Sequence, residues 1–406
     1  MKKLMLLGGS RYLLPAIKSA HELGVYVITC DYLPDNYAHK FADEYHNVSI
    51  IDKDAVLELA QKLNIDGIMS YATDPGVVTA AYVAEQMGLP TSPYESVCIL
   101  QNKGMFRNFL QEHNFNVPKA KSYKTFLELE KDADDWEFPV IVKPVDSAGS
   151  KGVSRVDDRE QLKVAFDYAK EKSLTDECIV ETFIEKVGYA MSGDSFSVDG
   201  KLVHFCLDSQ WFDESAPNPF TPSAHFWPTG APKNVQQEVQ VEVQRLISLL
   251  HMKTTIYNIE ARVGKDGKVY LMEVSPRAGG NRLAEVQRLA TGQDLIMASV
   301  KASLGLAVED LSQPIFDGVW GLSVIHSEKK GNFNELQIAS DVDNYVHQLD
   351  LWVEKGEGVQ AFNGANDSLG TIVWHCEEQS VMESIFNNMR KNVHVFVELL
   401  SMEGYK

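Results

Sequence analysis

The first ninety residues alternate between short apolar strands and amphipathic helices, and this alternation limits the fold more than any other feature of the chain. The strand patterns are KLMLLGG, VYVITCD and IDGIMSYA, and the helix patterns that follow them are LLPAIKSAHELG, DAVLELAQKLN and GVVTAAYVAEQMG. Strands that alternate with helices predict a parallel sheet covered on both faces. Since 406 residues exceed one ordinary domain, two or three domains are expected.

The turn after the first strand, GGSRYL, does not have the G-x-G-x-x-G spacing that lets a backbone approach a dinucleotide pyrophosphate. Asp31 ends the second strand, where an NAD-binding acid would stand. The glycine spacing nevertheless argues against NAD, and therefore against a dehydrogenase. The turn remains suited to a small anion, such as a substrate carboxylate, at its helix N-terminus.

The composition excludes several classes of partner. A net charge of −19 argues against nucleic acid and against an anionic membrane surface, because phosphate groups are bound by clustered lysine and arginine. The five cysteines are dispersed and form no CxxC pair, which favours reduced thiols over disulfides or a zinc site. The N-terminal run LMLL is too short for a signal peptide, and no run approaches transmembrane length. We therefore predict a cytoplasmic protein with no membrane partner.

After the segment LPTSPYESV, which predicts a domain boundary, strands are predicted at PVIVKPV, ECIVETFI, TTIYNIEARV and KVYLMEV. The last two are joined by a turn at Lys265–Gly267. The segment DSFSVDGKLVHFC is typical of a hairpin with its turn at Asp199-Gly200. A proline- and aromatic-rich loop is expected from Trp211 to Pro228, before a long amphipathic helix. The tail from about Gly318 predicts a small α+β domain.

Lys143 ends an apolar strand and is followed by a loop of small residues, DSAGSKG. The backbone N–H groups of such a loop can hold an anion, and a lysine at the strand end adds a positive charge beside it. The lysine precedes the glycines, so this is not a Walker loop. Because a lysine is unusual at the end of an apolar strand, phosphate binding is favoured over a solvated surface loop.

Glu260 and Glu273 lie on consecutive strands near the open end of one antiparallel pair, where both can point to one face. Like charges that face each other are destabilising unless a cation lies between them. A hard divalent ion with oxygen ligands, Mg²⁺ with Mn²⁺ as the alternative, fits this pair better than two solvated glutamates would. Arg277, four residues after Glu273, adds a planar donor fork for phosphate or carboxylate.

These residues carry a resemblance to a known family. Lys103 in NKGMFRNFL, Lys143 with its loop, IVETFIE, Glu260 and MEVSPRAGG come in the order and at the spacing of the ATP-grasp superfamily. The chain resembles its carboxylate–amine ligases, biotin carboxylase and carbamoyl phosphate synthetase over nearly its whole length. The resemblance implies an α/β and α+β fold in three domains: a parallel α/β domain over 1–95, a two-lobed ATP-grasp module over 96–312 with a lid lobe over about 115–185, and a C-terminal α+β domain over 313–406.

The resemblance also implies a role for each matching residue. Those that would bind ATP are Lys103 and Lys143 at the α- and β-phosphates, Ser147, Gly149, Ser150 and Gly152 in the loop over the phosphates, and Glu181, Phe183 and Ile184 at adenine. Those that would bind magnesium are Glu260, Glu273 and Ser275. Arg277 would steady the transferred phosphoryl group or the acyl phosphate, so that Arg277 and Lys143 are the predicted catalytic residues.

The sequence departs from the family pattern at two positions. Ala190 stands where family members often place a glutamate on the ribose, and Ser275 stands where an asparagine usually follows the second metal glutamate. Losing the ribose contact is expected to raise KM for ATP more than it lowers turnover. A serine oxygen can still hold magnesium or a water, so the metal site is expected to be weaker but present.

The substrate side is less well defined. The loop from Trp211 to Pro228, with His225, is either a substrate wall or a stiff loop that packs its aromatic residues on the module. Arg277 and Arg282 are candidates to grip a substrate carboxylate, whereas Arg288 is expected at the surface.

The function implied by the resemblance is an ATP-dependent, ADP-forming ligase that activates a small carboxylate as an acyl phosphate and joins it to an amine. One alternative is a carboxylase-type enzyme that activates bicarbonate. Another, suggested by Ala190 and Ser275, is a nucleotide-binding regulator with a degenerate site. The expected partners are small molecules, and the sequence leaves a homodimer open.

Overall fold

The N-terminal part folds as a parallel sheet of four strands covered by helices, as the alternating pattern predicts. The computed structural model describes residues 1–398. In this sheet the strand order is β3-β2-β1-β4, and all pairs are parallel. The elements are β1 (Lys3–Leu7), α1 (Leu14–Glu22), β2 (Tyr26–Cys30), β3 (Glu44–His46), α2 (Lys53–Leu63), β4 (Gly67–Met69) and α3 (Val77–Met87). The strands β1 and β2 are buried except at their first residues, which is the reason for their continuous apolar runs.

Two helices connect this sheet to a small antiparallel sheet, which we call the lid sheet. The order of the lid sheet is β5-β8-β6-β7, with α6 and α7 packed on it. The elements are α4 (Tyr94–Gln101), α5 (Lys103–Glu112), β5 (Ala120–Tyr123), α6 (Phe126–Lys131), β6 (Val140–Pro144), β7 (Ser154–Val156), α7 (Leu162–Lys172) and β8 (Cys178–Thr182). Asn102 begins α5, because its side chain accepts the N–H of Met105 at 3.0 Å.

The largest element is a central antiparallel sheet in the order β14-β13-β9-β11-β12-β15-β19-β17, with β10 paired to β9. Its first part comprises β9 (Lys186–Val198), β10 (Lys201–His204), β11 (Asp208–Phe212), β12 (Pro222–Trp227), α8 (Lys233–Leu249), β13 (Thr255–Gly264), β14 (Val269–Ser275), α9 (Leu283–Thr291) and α10 (Leu295–Ser303). One face packs on α4, α5 and α8 through the largest apolar cluster. The helix α10 packs against α1, which joins the central sheet to the N-terminal part.

Three strands of the C-terminal part continue the central sheet, and three others form a separate small sheet in the order β18-β16-β20. The elements are β15 (Val319–Ile325), β16 (Gly331–Ile338), β17 (Val346–Leu351), β18 (Gly358–Val359), β19 (Gly370–Cys376), α11 (Gln379–Asn387), α12 (Met389–Asn392) and β20 (Val393–Glu398). The α+β character expected of the tail is therefore present, but the tail shares a sheet with the preceding module through the β12–β15 pair.

Both predicted hairpins form, whereas the predicted loop from Trp211 to Pro228 is wrong at both of its ends. Asp199 and Gly200 have φ of 49° and 77°, as expected for the tight turn between β9 and β10. In the segment expected as a loop, the two ends belong to β11 and β12, and only 213–221 connects them. The aromatic side chains explain the difference. Trp211 lies 5.3 Å from Phe226 and 5.7 Å from Phe386 between ring centroids, so burial against α11 outweighs the proline-rich composition.

No helix within residues 1–398 has both the length and the apolar character needed to cross a membrane.

Candidate active site

Lys103 lies at the start of α5, where the lid sheet meets the central sheet. Its Nζ donates to the carbonyl of Ser147 at 2.9 Å and lies 3.6 Å from Oε2 of Glu273. The loop that begins at Ser147 contains three consecutive or near-consecutive left-handed residues, Gly149, Ser150 and Gly152, with φ of 65°, 58° and 76°. A Cβ at Gly152 would come within 2.8 Å of Pro144. The backbone of this loop is therefore folded tightly beside the Lys103 ammonium group.

Lys143 belongs to a buried group of three charges that the sequence did not predict. Its Nζ lies 2.8 Å from Oε2 of Glu181, and Nε of Arg107 lies 2.9 Å from Oε1 of the same carboxylate without pointing at it as a hydrogen bond would. Burial alone would raise the pKa of Glu181, but Arg107 and Lys143 outweigh it and lower that pKa to about 2. Burial lowers the pKa of Lys143 to about 8, against the opposing effect of Glu181.

This geometry corrects the expectation for Glu181. Its side chain is 2% exposed, and both carboxylate oxygens are engaged by cations, so the carboxylate is not free to contact adenine. The two residues after β8, Phe183 and Ile184, form what we call the hinge, and their backbones differ in hydrogen bonding. The N–H of Phe183 donates to the carbonyl of Pro139 at 3.2 Å, whereas the backbone of Ile184 forms no backbone hydrogen bond within residues 1–398. Of these three residues, Ile184 offers both of its backbone groups to a ligand.

Glu260 and Glu273 are direct partners in the antiparallel pair of β13 and β14, as the sequence predicts. A bulge follows Glu260, because Ala261 pairs with Leu271. Burial, and then the charge of Glu273, raise the pKa of Glu260. Two carboxylates therefore face each other in a half-buried position, with Lys103 the nearest cation on one side. Within residues 1–398 no cluster of three or more histidine, cysteine, aspartate or glutamate side chains is arranged to hold a metal ion.

Arg277 is tied to the N-terminal part of the chain by a carboxylate that the sequence analysis missed. Its Nε lies 2.8 Å from Oδ1 of Asp74, and its second terminal nitrogen lies 3.8 Å from Oε1 of Glu273. Asp74 follows β4, at the carboxyl end of a parallel strand. Ligands of open α/β sheets bind at that edge, and this rule is the signal that would have singled out Asp74.

Ser275 is placed differently from the expectation. The residue is 1% exposed, its Oγ accepts the side-chain amide of Gln101, and it donates to Asp74 at 3.3 Å. The donor and one of the two acceptor positions of the hydroxyl are thus occupied by protein groups. These contacts make Ser275 a support for Asp74, and through Asp74 for Arg277, while its role as a metal ligand stays a prediction.

Arg262 is a second cation that the sequence analysis missed. It lies two residues after Glu260 on β13, and burial lowers its pKa. Its Nε is buried and forms no hydrogen bond within the described residues. Farther along the same strand, Gly264 lies beside Ile184, because a Cβ at Gly264 would come within 3.3 Å of it. Arg262 is therefore located between the carboxylate pair and the hinge.

Asp194 fixes the glycine loop that follows Arg277. Its carboxylate accepts the N–H of Gly279 at 2.9 Å and the side-chain amide of Asn258 at 2.9 Å. Burial raises the pKa of Asp194 to about 6 despite these hydrogen bonds. Because Asn258 and Glu260 point to the same face of β13, this contact holds the loop against the face that carries the carboxylate pair.

His225 belongs to a buried polar cluster on the same sheet, which we call the acceptor cluster: Ser192, Asp208, Gln210 and His225. Asp208 accepts Ser192 Oγ at 2.8 Å and His225 Nδ1 at 3.1 Å. All of its members are at most 8% exposed. Of its members only His225 lies in the segment that was expected to be a loop; Ser192 lies on β9, and Asp208 and Gln210 lie on the part of β11 before that segment.

Arg282 does not reach the carboxylate pair. Its guanidinium donates to Gln348 at 2.9 Å and Thr371 at 3.3 Å, and it lies near the carboxylates of Glu285 and Asp350. These contacts join the start of α9 to β17 and β19. The role of Arg282 as a grip on a substrate carboxylate is not supported by this geometry, since its donors are already engaged. The preceding Asn281 accepts the hydroxyl of Tyr12 at 2.7 Å. As expected, Arg288 is exposed, and it pairs with Asp294.

The chain matches known proteins in sequence and in fold. Residues 136–285 match the model of the ATP-grasp domain. The chain therefore contains an ATP-grasp domain. The formate-dependent phosphoribosylglycinamide formyltransferase of Wolinella succinogenes is 28% identical over 68% of this chain and 70% of its own length. The enzyme of the same name from Bacteroides thetaiotaomicron is 25% identical over 96% of this chain and 98% of its own.

The fold of this ATP-grasp chain is also close to that of a solved L-amino acid ligase from Bacillus licheniformis. That structure has a TM-score of 0.82 at 20% identity, and the match covers 98% of this chain and 99% of the other. The predicted fold class is confirmed. So is the predicted class of enzyme, since the chain is an ATP-grasp carbon–nitrogen ligase of the ADP-forming type.

Proposed function

We propose that this ligase uses Mg²⁺-ATP to phosphorylate a small carboxylate and then passes the acyl group to an amine. One observation carries the proposal: Glu260 and Glu273 face each other in register, with the Lys103 and Arg277 cations next to Glu273 at 3.6 and 3.8 Å. Two carboxylates and two cations at the junction of two sheets suit a triphosphate whose charge is shared between a metal and basic side chains.

The residues fit magnesium. The pKa of Glu260 is raised by burial and by Glu273, and a divalent cation between the two carboxylates would remove that repulsion. Magnesium usually takes one or two carboxylates and completes its octahedron with water and substrate phosphates, so the absence of a third protein carboxylate in the described residues is no obstacle. When bound, Mg²⁺ would neutralise charge on the phosphate oxygens. Glu260 and Glu273 would hold it, without Ser275.

The residues also fit the nucleotide. Lys103 and Lys143 would contact the phosphates under the loop that contains Ser147, Gly149, Ser150 and Gly152, and Ile184 would offer its backbone to adenine. Arg262 lies between these ends with its Nε unpartnered, so it would contact the nucleotide between the phosphates and the base. This cation takes up part of the role that the missing ribose glutamate at Ala190 has in other family members.

The mechanism follows from charge and position. A carboxylate oxygen attacks the γ-phosphorus and ADP leaves, while Lys103, Lys143 and Arg277 offset the negative charge that develops on the oxygens. Asp74 holds Arg277 at 2.8 Å, which fixes the guanidinium before the substrate arrives. An amine then attacks the acyl carbon and phosphate departs. Water would hydrolyse the acyl phosphate, so we expect the lid sheet to close during turnover.

The experiment is ADP release from Mg²⁺-ATP with pairs of acids and amines. Formate and amino acids are tested first, because the relatives are named as a formate-dependent formyltransferase and an L-amino acid ligase. ADP formation that requires both an acid and an amine supports the ligase. A requirement for bicarbonate alone would favour the carboxylase-type reaction, and ATP binding without turnover would favour the regulator.

Three further points are also proposals. We propose a division into residues 1–95, 96–312 and 313–406, a cytoplasmic location, and small-molecule substrates without nucleic acid. The exposed strand β17 at the end of the central sheet keeps a homodimer open, and the mass of the protein in solution tests it.

A further inference from the structure

The acceptor cluster contains a histidine whose two ring nitrogens have different surroundings. His225 makes both of its hydrogen-bonding contacts within residues 1–398 through Nδ1, to Asp208 at 3.1 Å and to Ser192 at 3.3 Å. Asp208 is completely buried, and an ionised carboxylate can only accept hydrogen bonds. Nδ1 must therefore carry the hydrogen, and the lone pair of the neutral ring is on Nε2.

The cluster lies on the face of the central sheet that carries the carboxylate pair. Glu273 is opposite Glu260, Glu260 is opposite Ser192, and Ser192 is opposite Asp208. Residues that face each other across antiparallel strands point to the same side, so these four side chains form one polar row. Adjacent strands are about 4.8 Å apart, which puts Asp208 roughly 10 Å from Glu260.

The chain also brings the segment after Arg277 to the same place. Gly279 is hydrogen-bonded to Asp194 on β9, and α9 then packs its Leu283 in one apolar cluster with Trp227. Trp227 follows His225 by two residues, so both point to this face. A substrate between Arg277 and His225 would therefore have a phosphoryl-side cation at one end and an imidazole at the other.

From these contacts we propose that His225 is the general base that takes the proton from the attacking amine, and that Asp208 is the positioning residue that fixes its tautomer. The proposal rests on the ligase function above. In the second half-reaction the amine nitrogen forms a bond to the acyl carbon, the bond from that carbon to the phosphate oxygen breaks, and phosphate leaves with the electron pair. The surplus proton on nitrogen goes to Nε2 of His225. A carboxylate at Nδ1 suits this role, because it stabilises the imidazolium that forms when Nε2 takes the proton.

Two nucleophiles of similar size separate this role from a purely structural one. Ammonia becomes nucleophilic only after its ammonium ion is deprotonated, and its adduct must lose a further proton, whereas hydroxylamine is uncharged at neutral pH and captures acyl phosphates without a base. The assay measures primary amide from ammonium chloride and hydroxamate from hydroxylamine, with Mg²⁺-ATP and, as acids, formate, acetate, glycine and L-alanine.

The informative variant is His225→Asn, because the asparagine amide can still donate to Asp208 but offers no base at the position of Nε2. We expect the ratio of amide to hydroxamate to fall about 100-fold, the usual size of a general-base contribution. Asp208→Asn should lower the same ratio about 10-fold, since it disturbs the tautomer. His204→Gln is the matched control: His204 is as deeply buried, on β10, with Nδ1 bonded to the Ser312 carbonyl at 2.7 Å, and the ratio should stay at the wild-type value.

A parallel loss of amide and hydroxamate in His225→Asn would overturn the proposal in favour of a structural role, and so would retention of both. Should His225→Asn not fold, Asp208→Asn reports the same ratio and decides in the same way. If the wild-type protein releases no ADP and forms neither product with any acid and amine of the panel, the ligase function itself fails and the base assignment falls with it. A wild-type protein that forms both products keeps the two questions separate.

Discussion

The two ends of the site differ in how their charges are satisfied. At the nucleotide end, which comprises Lys103, Lys143, Arg262, Arg277 and the carboxylate pair, Glu273 has its two cations at 3.6 and 3.8 Å, and Arg262 Nε has no partner. In the acceptor cluster the contacts to Asp208 are 2.8 and 3.1 Å, and every member is buried. At the nucleotide end Glu273 and Arg262 therefore have no close partner within the described residues, although Lys143 and Arg277 each pair with a carboxylate at 2.8 Å. In the acceptor cluster Asp208 has close contacts to both of its neighbours, and Nε2 of His225 is the atom left for a substrate.

This difference has a physical meaning. Charges held at nearly 4 Å in a half-buried site gain little from each other, so they stay available for phosphate and metal, which neutralise them on binding. A buried carboxylate with close hydrogen bonds, such as Asp208, is costly to rearrange, so it is suited to orienting one atom, here Nε2 of His225, and not to gathering a large charged ligand. ATP binding and acyl transfer are therefore supported by two different arrangements of charge on one face of the central sheet.

Glu273→Gln is the substitution with the largest expected effect on the nucleotide end. If the nucleotide end works by shared charge with a metal, turnover should fall about 1000-fold, since a metal or oxyanion contact is removed from the transition state. Folding should hardly change, because the substitution removes only the long ion pairs of Glu273 and also relieves its repulsion of Glu260. ADP release and the melting temperature measure the two effects.

Glu238→Gln, an exposed position on α8, is the control for Glu273→Gln and should leave both quantities unchanged. Near-normal turnover in Glu273→Gln would refute the assignment of the carboxylate pair to magnesium.

The second prediction concerns the pH dependence of nucleotide binding. Burial lowers the pKa of Lys143 to about 8, so above that pH its cationic form is lost from the free protein, while bound phosphate favours the cation. Affinity for ADP should therefore be constant below about pH 8 and should weaken up to tenfold per pH unit above it. Calorimetric titration between pH 7 and 9.5 measures this.

Lys143→Arg is the matched variant, because arginine keeps its charge throughout this range. The pH profile of ADP affinity in this variant should be flat. A lower affinity than that of the wild-type protein at pH 7 would reflect the different shape of the arginine side chain. A flat profile in the wild-type protein would place Lys143 outside the set of phosphate contacts.

The residues on which these predictions depend could be predicted from the sequence to different extents. Lys143, Glu260 and Glu273 could be predicted because a charge within an apolar strand conflicts with burial, and hairpin register follows from a short turn. Asp74 could not be assigned to Arg277, since the two are 203 positions apart and only the packing of two sheets joins them. Arg107 looked like an ordinary polar position of an amphipathic helix, although it is 2% exposed.

The acceptor cluster was hidden for a different reason. Its strands β11 and β12 are separated by a proline-rich segment, and proline composition predicted a loop where aromatic packing on α11 instead forms strands. Without the strand assignment, the sequence could not show that His225 and Asp208 point to the same face of the sheet. Ser275 is a different case, because the sequence did not reveal that its hydroxyl contacts Gln101 and Asp74.

The third prediction separates the contribution of Arg262 to nucleotide binding from its contribution to stability. Arg262→Met removes a buried cation with an unpartnered Nε, so the melting temperature should stay the same or rise. KM for ATP should rise about tenfold, the equivalent of one lost charge-assisted contact, while kcat changes little. Steady-state kinetics and thermal unfolding measure both.

Arg245→Met is the control for Arg262→Met. Arg245 pairs with Glu242 at 2.8 Å and covers the ring of Phe115, so its loss should cost about 0.5–1 kcal/mol of stability with KM for ATP unchanged. If Arg262→Met lowers the melting temperature and leaves KM alone, Arg262 is a structural residue.

The smallest expected effect tests the role of Ser275 as a support for Asp74. With Gln101 and Asp74 as its partners, Ser275→Ala should cost about 1–2 kcal/mol of unfolding free energy and should lower turnover only about twofold, through a looser Asp74 and Arg277. The Mg²⁺ concentration for half-maximal activity should not change, because no metal ligand is lost. An increase of tenfold or more in that concentration would restore Ser275 as a magnesium ligand.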